Sequence, residues 1–185
     1  LKQGNATFVK GGACIPTGGA ERVAELARGQ APFAVIVGCA DSRTPPEHLF
    51  GRGLGELFVV RVAGNTVDTA ALGSIEYAVA VLGAPLIFVL GHSKCGAVEA
   101  ATKIVKENAT FPGSIGEMVE PIVPAVLRAQ RQGGDLLEAS IRENVAAVME
   151  RLRTSSAILK GPLDAGRLKI AGGVYDLQSG AVSFM

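Results

Sequence analysis

Three short apolar runs, at 33–38, 57–62 and 86–90, set the strongest limit on what this chain can fold into. The first, Phe-Ala-Val-Ile-Val-Gly, does not alternate with polar residues as a strand with one wet face would, so it reads as a strand covered on both sides in a parallel sheet. The other two follow turn signals, Gly55 for one and the Gly83 and Pro85 pair for the other. Between them, 70–82 is long and apolar enough for a crossover helix. A strand, a long crossover and another strand make a right-handed parallel unit.

The remaining segments fit the same plan. Val23, Leu26 and Ala27 ahead of Gly29 predict a short helix over 20–28, whereas 1–19 is rich in glycine and polar residues. A helix is predicted over 97–106, a loop over 108–116 around Pro112, Gly113 and Gly116, and helix again from about Met118. Asp135 is a good N-cap for an amphipathic helix whose stripe is Leu137, Ile141, Val145, Val148 and Leu152. Segments 168–175 and 181–184, joined by a turn at 178–180, predict two closing strands in a hairpin-like arrangement. The expected fold is α/β: a central, mainly parallel β-sheet with an antiparallel edge strand, flanked by helices. No linker or repeat divides 1–185, so one domain is expected.

Composition narrows the function. With 185 residues, 48% hydrophobic and 19% charged, the chain can bury a sizeable core. Its 18 basic and 17 acidic residues are nearly balanced and form no basic stripe, which argues against nucleic-acid and anionic-membrane partners. The most apolar stretch, 77–90, is split by Gly83 and Pro85 and falls short of the roughly 18 to 20 residues a membrane span needs. No signal peptide is read. The chain opens on Leu1 rather than Met, so a processed or exported start stays open. Three cysteines are too few, and of the wrong parity, for a disulfide framework. Metal or catalytic use of at least two is expected, together with a reducing, cytoplasmic location. Cys14, between glycine-rich and proline-containing sequence, is read as a spare thiol.

Two segments carry chemistry: Cys39-Ala40-Asp41-Ser42-Arg43 after the first strand and His92-Ser93-Lys94-Cys95-Gly96 after the third. In an open parallel sheet, ligands gather beyond the carboxyl ends of the strands, so the two turns can converge. Two thiolates and an imidazole, Cys39, Cys95 and His92, suit Zn²⁺ and leave a fourth tetrahedral position free, the mark of a reactive rather than a structural site. Gly91 is read as the residue that lets the chain turn after the strand, with Cys95 near a helix N-terminus that favours its thiolate. The other candidates for a fourth ligand, Cys14 and His48, lie in no motif that would bring them there.

Zinc with two thiolates and a neutral imidazole is formally neutral, whereas three imidazoles leave its double charge and bring bound water to a pKa of about 7. The site therefore needs help to favour hydroxide. Asp41 is expected to accept the hydrogen bond of zinc-bound hydroxide, with the Arg43 fork holding the carboxylate. The plainer alternative is an Asx-turn with a surface arginine. A redox pair of Cys39 and Cys95 lacks the Cys-X-X-Cys unit and leaves His92 without a purpose. Gly51, Gly53 and Gly55 precede a strand instead of opening a helix, so they read as a loop, not a phosphate cradle. His48 is expected on a short exposed helix after Pro45 and Pro46, without a role.

Cys-Ala-Asp-Ser-Arg followed by His-Ser-Lys-Cys-Gly resembles the β-class carbonic anhydrases. The likeness extends through Gly4-Asn5 and Phe8, 55–61 (Gly-Glu-Leu-Phe-Val-Val-Arg) with Asn65, 75–78 (Ile-Glu-Tyr-Ala) and 173–176 (Gly-Val-Tyr-Asp). The resemblance implies zinc on Cys39, His92 and Cys95, an Asp41 and Arg43 dyad, and a tight dimer, or a dimer of dimers, with substrate bound at the dimer interface. It also implies that a glutamine nine residues before the first cysteine, here Gln30, helps to bind substrate, and that the Gly96 amide faces the pocket. Bicarbonate inhibition at a tryptophan-built second site is not expected, because the chain has no Trp. Asp41 could still swing onto zinc as a fourth ligand in a closed state.

The expected activity is attack of zinc-bound hydroxide on carbon dioxide to give bicarbonate and a proton, with Val62 and Ala63 near the substrate path. Two rivals remain: hydrolysis of carbon disulfide or carbonyl sulfide, and a non-catalytic zinc-stabilised protein.

Overall fold

The structure, a computed structural model, describes residues 1–12 and 18–185. In chain order the elements are α1 (Lys2–Val9), α2 (Ala20–Leu26), β1 (Ala34–Gly38), α3 (Pro46–Phe50), β2 (Leu57–Arg61), α4 (Thr69–Ala80), β3 (Leu86–His92) and α5 (Gly96–Glu107). There follow α6 (Ile115–Val119), α7 (Val123–Ala129), α8 (Leu136–Thr154), α9 (Ala157–Asp164), β4 (Lys169–Tyr175) and β5 (Val182–Phe184). The strands form one sheet of order β2-β1-β3-β4-β5, parallel except for the β4–β5 edge pair. The α/β plan with its antiparallel edge is therefore the one expected.

Strand β1 is buried along its whole length because both faces are covered. Val35 and Val37 point with Ile87 and Val89 toward Ile75 and Val79 of α4 and Val145, Val148 and Leu152 of α8. Ala34 and Ile36 point the other way with Phe88 and Leu90, against Leu49 and Phe50 of α3. Strict two-residue alternation thus hides inside an unbroken apolar run, since both sides of the sheet are core. A third cluster joins α5, α7 and α8 over the carboxyl ends of the strands and includes Cys39 and Cys95.

Helix α8 starts as expected, with the Asp135 carboxylate accepting the Glu138 amide at 2.9 Å. Two helices were not legible. Helix α1 has no apolar periodicity, and tertiary contacts hold it: buried Asn5 donates Nδ2 to the Gly180 carbonyl at 2.9 Å and accepts the Val182 amide at 2.8 Å. Gly4 lets that helix approach α3, where a Cβ would overlap the Phe50 carbonyl oxygen. Helix α9 contains Gly161 and Pro162 and is capped by the Ser156 hydroxyl, which accepts the Leu159 amide at 3.1 Å. The helix expected from Met118 is two, α6 and α7, joined by a 3₁₀ turn that contains Pro121. Cys14 lies outside the described residues. Among those described, no helix is long and apolar enough to cross a membrane.

Helix α8 presses close on the sheet at glycines. A Cβ on Gly91 would sit 2.6 Å from Val145 Cγ2, and one on Gly172 would sit 2.5 Å from Met149 Sδ and 2.8 Å from Val145 Cγ1. Gly172→Val is expected to destabilise the protein by about 1–3 kcal/mol through overpacking. The measurement is urea denaturation, in which the midpoint should fall at unchanged slope. An unaltered midpoint would show that α8 can step aside.

Candidate metal centre

Sheet register brings the two motifs together. Gly38 pairs with Leu90, so Cys39, one residue past β1, emerges level with Gly91 and beside His92, the last residue of β3. Cys95 is the N-cap of α5. The turn between His92 and Cys95 is made by Lys94, which adopts φ 55°. Gly91 does not turn at all: it is an extended β3 residue, glycine because α8 leaves no room for a Cβ. The expectation that Gly91 reverses the chain is corrected on that point.

The sulfurs of Cys39 and Cys95 and a His92 ring nitrogen lie within 4.8 Å of one another, and all three residues are buried. His92 Nδ1 lies 2.9 Å from the Ser93 carbonyl oxygen. A carbonyl only accepts, so Nδ1 carries the proton and Nε2 presents its lone pair. Nε2 is buried without a hydrogen-bond partner. Such an orphan is costly unless something fills the space. An unpaired imidazole nitrogen facing two thiols fits a soft, tetrahedral divalent cation such as zinc.

The sulfurs are unequal. Cys39 is pulled down to about 4, first by hydrogen bonding with Cys95, against the opposing effect of burial, with help from His92 and the Asp41 and Gly64 amides. Cys95 is pushed up by the same partnership and by burial, although the Val98 and Ala97 amides favour its thiolate. The pair holds on to one proton, which a cation must displace. Burial, the largest single effect, opposes charging of His92, but the Cys39 sulfur, the Ser93 carbonyl and the Asp41 carboxylate together outweigh it and its pKa rises.

Asp41 and Arg43 form an Asx-turn and a side-chain ion pair at once. The Arg43 amide donates to Asp41 Oδ1 at 2.9 Å, an Asx-turn, while Arg43 Nε donates to Oδ1 at 2.9 Å and Nη2 to Oδ2 at 2.6 Å. These contacts, the Arg43 side chain first, hold the Asp41 carboxyl down at about 2. A depressed carboxyl stabilises the fold above its ordinary range, and that stabilisation is lost as pH falls from about 4 to about 2. At neutral pH Asp41 is therefore an acceptor only. Its Oδ2 lies 3.8 Å from His92 Nε2, at the margin of the donor group.

Three residues around the centre were not singled out from sequence. Arg61, at the end of β2, donates Nε to the Cys39 carbonyl at 2.7 Å and Nη2 to the Asp41 carbonyl, clamping the loop between them. Gly64 donates its amide to Cys39 Sγ at 3.2 Å, and Asn144 donates to the Gly64 carbonyl at 2.8 Å. The available signals were an arginine closing an apolar strand and an asparagine on the inner side of an apolar helix stripe.

Of the other candidates, Gly96 is the first residue of α5 and is exposed, with nothing within 4 Å of where a Cβ would sit. Gln30 is exposed and lines a separate hollow with Val23, Leu26, Leu54 and Gly55. His48 is exposed on α3. Val62 borders a groove with Thr66, Met118 and Pro121, and Ala63 begins the 3₁₀ turn that carries Gly64. The Gly51, Gly53 and Gly55 run is the turn between α3 and β2.

Fold and donor set together define a class: a parallel-sheet α/β protein with a buried Cys-His-Cys group, able to hold a metal, at the carboxyl ends of its strands. A carbonic anhydrase family model matches residues 34–182. The chain is 44% identical over 184 residues to carbonic anhydrase 2 of Mycobacterium tuberculosis, covering 97% of this chain and 87% of that protein. It is 43% identical over 182 residues to a carbonic anhydrase of Mycolicibacterium smegmatis, covering 98% and 88%. It superposes with TM-score 0.78 and 27% identity on a solved structure from a study of two tetrameric β-carbonic anhydrases of Sordaria macrospora, covering 88% and 85%. The chain belongs to the β-carbonic anhydrase family.

Proposed function

We propose that this protein catalyses the reversible hydration of carbon dioxide to bicarbonate and a proton, with zinc held by Cys39, His92 and Cys95. The observation that carries the proposal is the orphaned His92 Nε2 beside two sulfurs, with the Asp41 carboxylate 3.8 Å away. Zinc bound there supplies a Lewis acid that lowers the pKa of water and so makes a nucleophile near neutral pH. Asp41, ionised and fixed by Arg43, accepts a hydrogen bond from the attacking water and directs its remaining lone pair at carbon dioxide. Because Asp41 titrates so low, it orients and does not store the proton. That proton passes to solvent or buffer.

In this reading the Gly96 amide donates to a substrate oxygen as negative charge develops; its position at the start of α5, where helix amides have no partner in the helix, supports that role. The hollow beside Gln30 is lined by none of Cys39, His92 and Cys95, so its role toward substrate is assigned to a self-associated form, a homodimer or dimer of dimers. The tetrameric Sordaria relatives support such assembly. Arg43 donates to both Asp41 oxygens, so metal ligation by Asp41 in a closed state would compete with that pairing.

Stopped-flow hydration assays at about pH 6.5 and 8.5, with metal analysis of the same sample, test the proposal. One zinc per chain is expected, with a rate that rises toward alkaline pH as more water ionises. Asp41 is ionised at both values, so the rise belongs to another group. A zinc-loaded protein inactive at both would be a zinc-stabilised fold, and turnover only of carbon disulfide or carbonyl sulfide would reassign the substrate.

A further inference from the structure

One buried polar side chain beside the metal donors has no part in the chemistry derived above. Asn144 is 2% exposed, and its helix neighbours Ile141, Val145 and Val148 pack into apolar clusters. An apolar residue would suit such a position, because a buried amide is tolerated only when its hydrogen bonds are made. Asn144 Nδ2 makes one, to the Gly64 carbonyl at 2.8 Å, across 80 positions of sequence. Gly64 in turn donates its own amide to Cys39 Sγ at 3.2 Å. Gly64 has φ 68° and ψ 20°, and a Cβ there would lie 2.6 Å from Ile122 Cδ1 and 3.1 Å from Ala97 Cβ. Only glycine fits, yet glycine has the least preference of its own for any one conformation. An outside anchor is needed to keep its amide aimed.

We propose that Asn144 is a positioning residue for the metal centre: by holding the Gly64 carbonyl, it keeps the Gly64 amide on Cys39 Sγ and limits the charge that sulfur gives to the metal. This rests on the reading that Cys39, His92 and Cys95 hold the cation. The Gly64 carbonyl and amide belong to different peptide units, so the effect passes through the geometry of Gly64 and not through polarisation of a single amide. Its chemical sense follows from the ligand set. Two thiolates cancel the double charge of zinc, and an N–H directed at one of them withdraws electron density, leaving the cation a better Lewis acid.

NMR of the protein loaded with the spin-active cadmium isotope tests each link. Couplings from cadmium to the methylene protons of Cys39 and Cys95 and to the His92 ring are expected. So is a further coupling to the Gly64 amide proton, carried across the N–H to sulfur bond. Absence of the ligand couplings would remove the metal reading itself. Their presence without the Gly64 coupling would overturn the present proposal alone. In the unmodified protein, one Asn144 side-chain amide proton should exchange slowly and couple to the Gly64 carbonyl carbon. Fast exchange there would overturn the anchor whether or not any variant folds. Asn144→Leu, which removes the donor at similar volume, and the smaller Asn144→Ala are expected to retain metal, weaken the Gly64 coupling and slow the zinc enzyme about 10-fold. An unaltered coupling in either folded variant would refute the role of Asn144.

Discussion

Asp41→Ala protein is expected to carry its full complement of metal and to hydrate carbon dioxide about 100-fold more slowly than the parent, or worse. The two halves of this expectation come from different contacts. Metal retention follows because the three donors converge without Asp41, their positions set by β1, β3 and the start of α5. Loss of turnover follows because Asp41 is the carboxylate at the margin of the donor group, held by two hydrogen bonds from the Arg43 side chain. Without it the attacking water is free to rotate and its lone pair is no longer aimed. Metal analysis and stopped-flow hydration on one preparation separate the outcomes. Parent-like turnover would take the dyad out of the mechanism, whereas joint loss of metal and turnover would make Asp41 a structural support.

Cys95→Ser should be more severe, reducing metal content from about one per chain to near none after dialysis and abolishing hydration. A serine hydroxyl does not ionise near neutral pH, so the substitution removes a donor while changing the side-chain volume little. The damage spreads to Cys39, whose low pKa depends first on Cys95. Circular dichroism should remain close to that of the parent, since Cys95 is the N-cap of α5 and serine is a preferred N-cap residue. Full metal occupancy in this variant would mean that the cation sits elsewhere.

The strands were legible because each is a dense apolar run that ends at a turn signal, and helix α8 because its stripe and Asp135 cap are local properties. Helix α1 was not. Its stability comes from Asn5 reaching β5 and the preceding turn, contacts that no local window of sequence contains. Gly91 misled for a related reason: glycine after a strand usually marks a turn, but here its missing side chain makes way for Val145, and Lys94 takes the left-handed conformation instead.

The ligand types and the Asp41 and Arg43 pair could be read directly, because side-chain chemistry is written in residue identity and short spacing. By itself the sequence determined the α/β class, the three donors and the carboxylate beside them. Tertiary structure alone decided how these meet: the Gly38 to Leu90 register that sets Cys39 beside His92, the Arg61 clamp on the loop, and the buried path from Asn144 through Gly64 to sulfur. Each of these joins residues from separate elements. Such pairings are fixed only when the strands take their register and the helices close over both faces of the sheet.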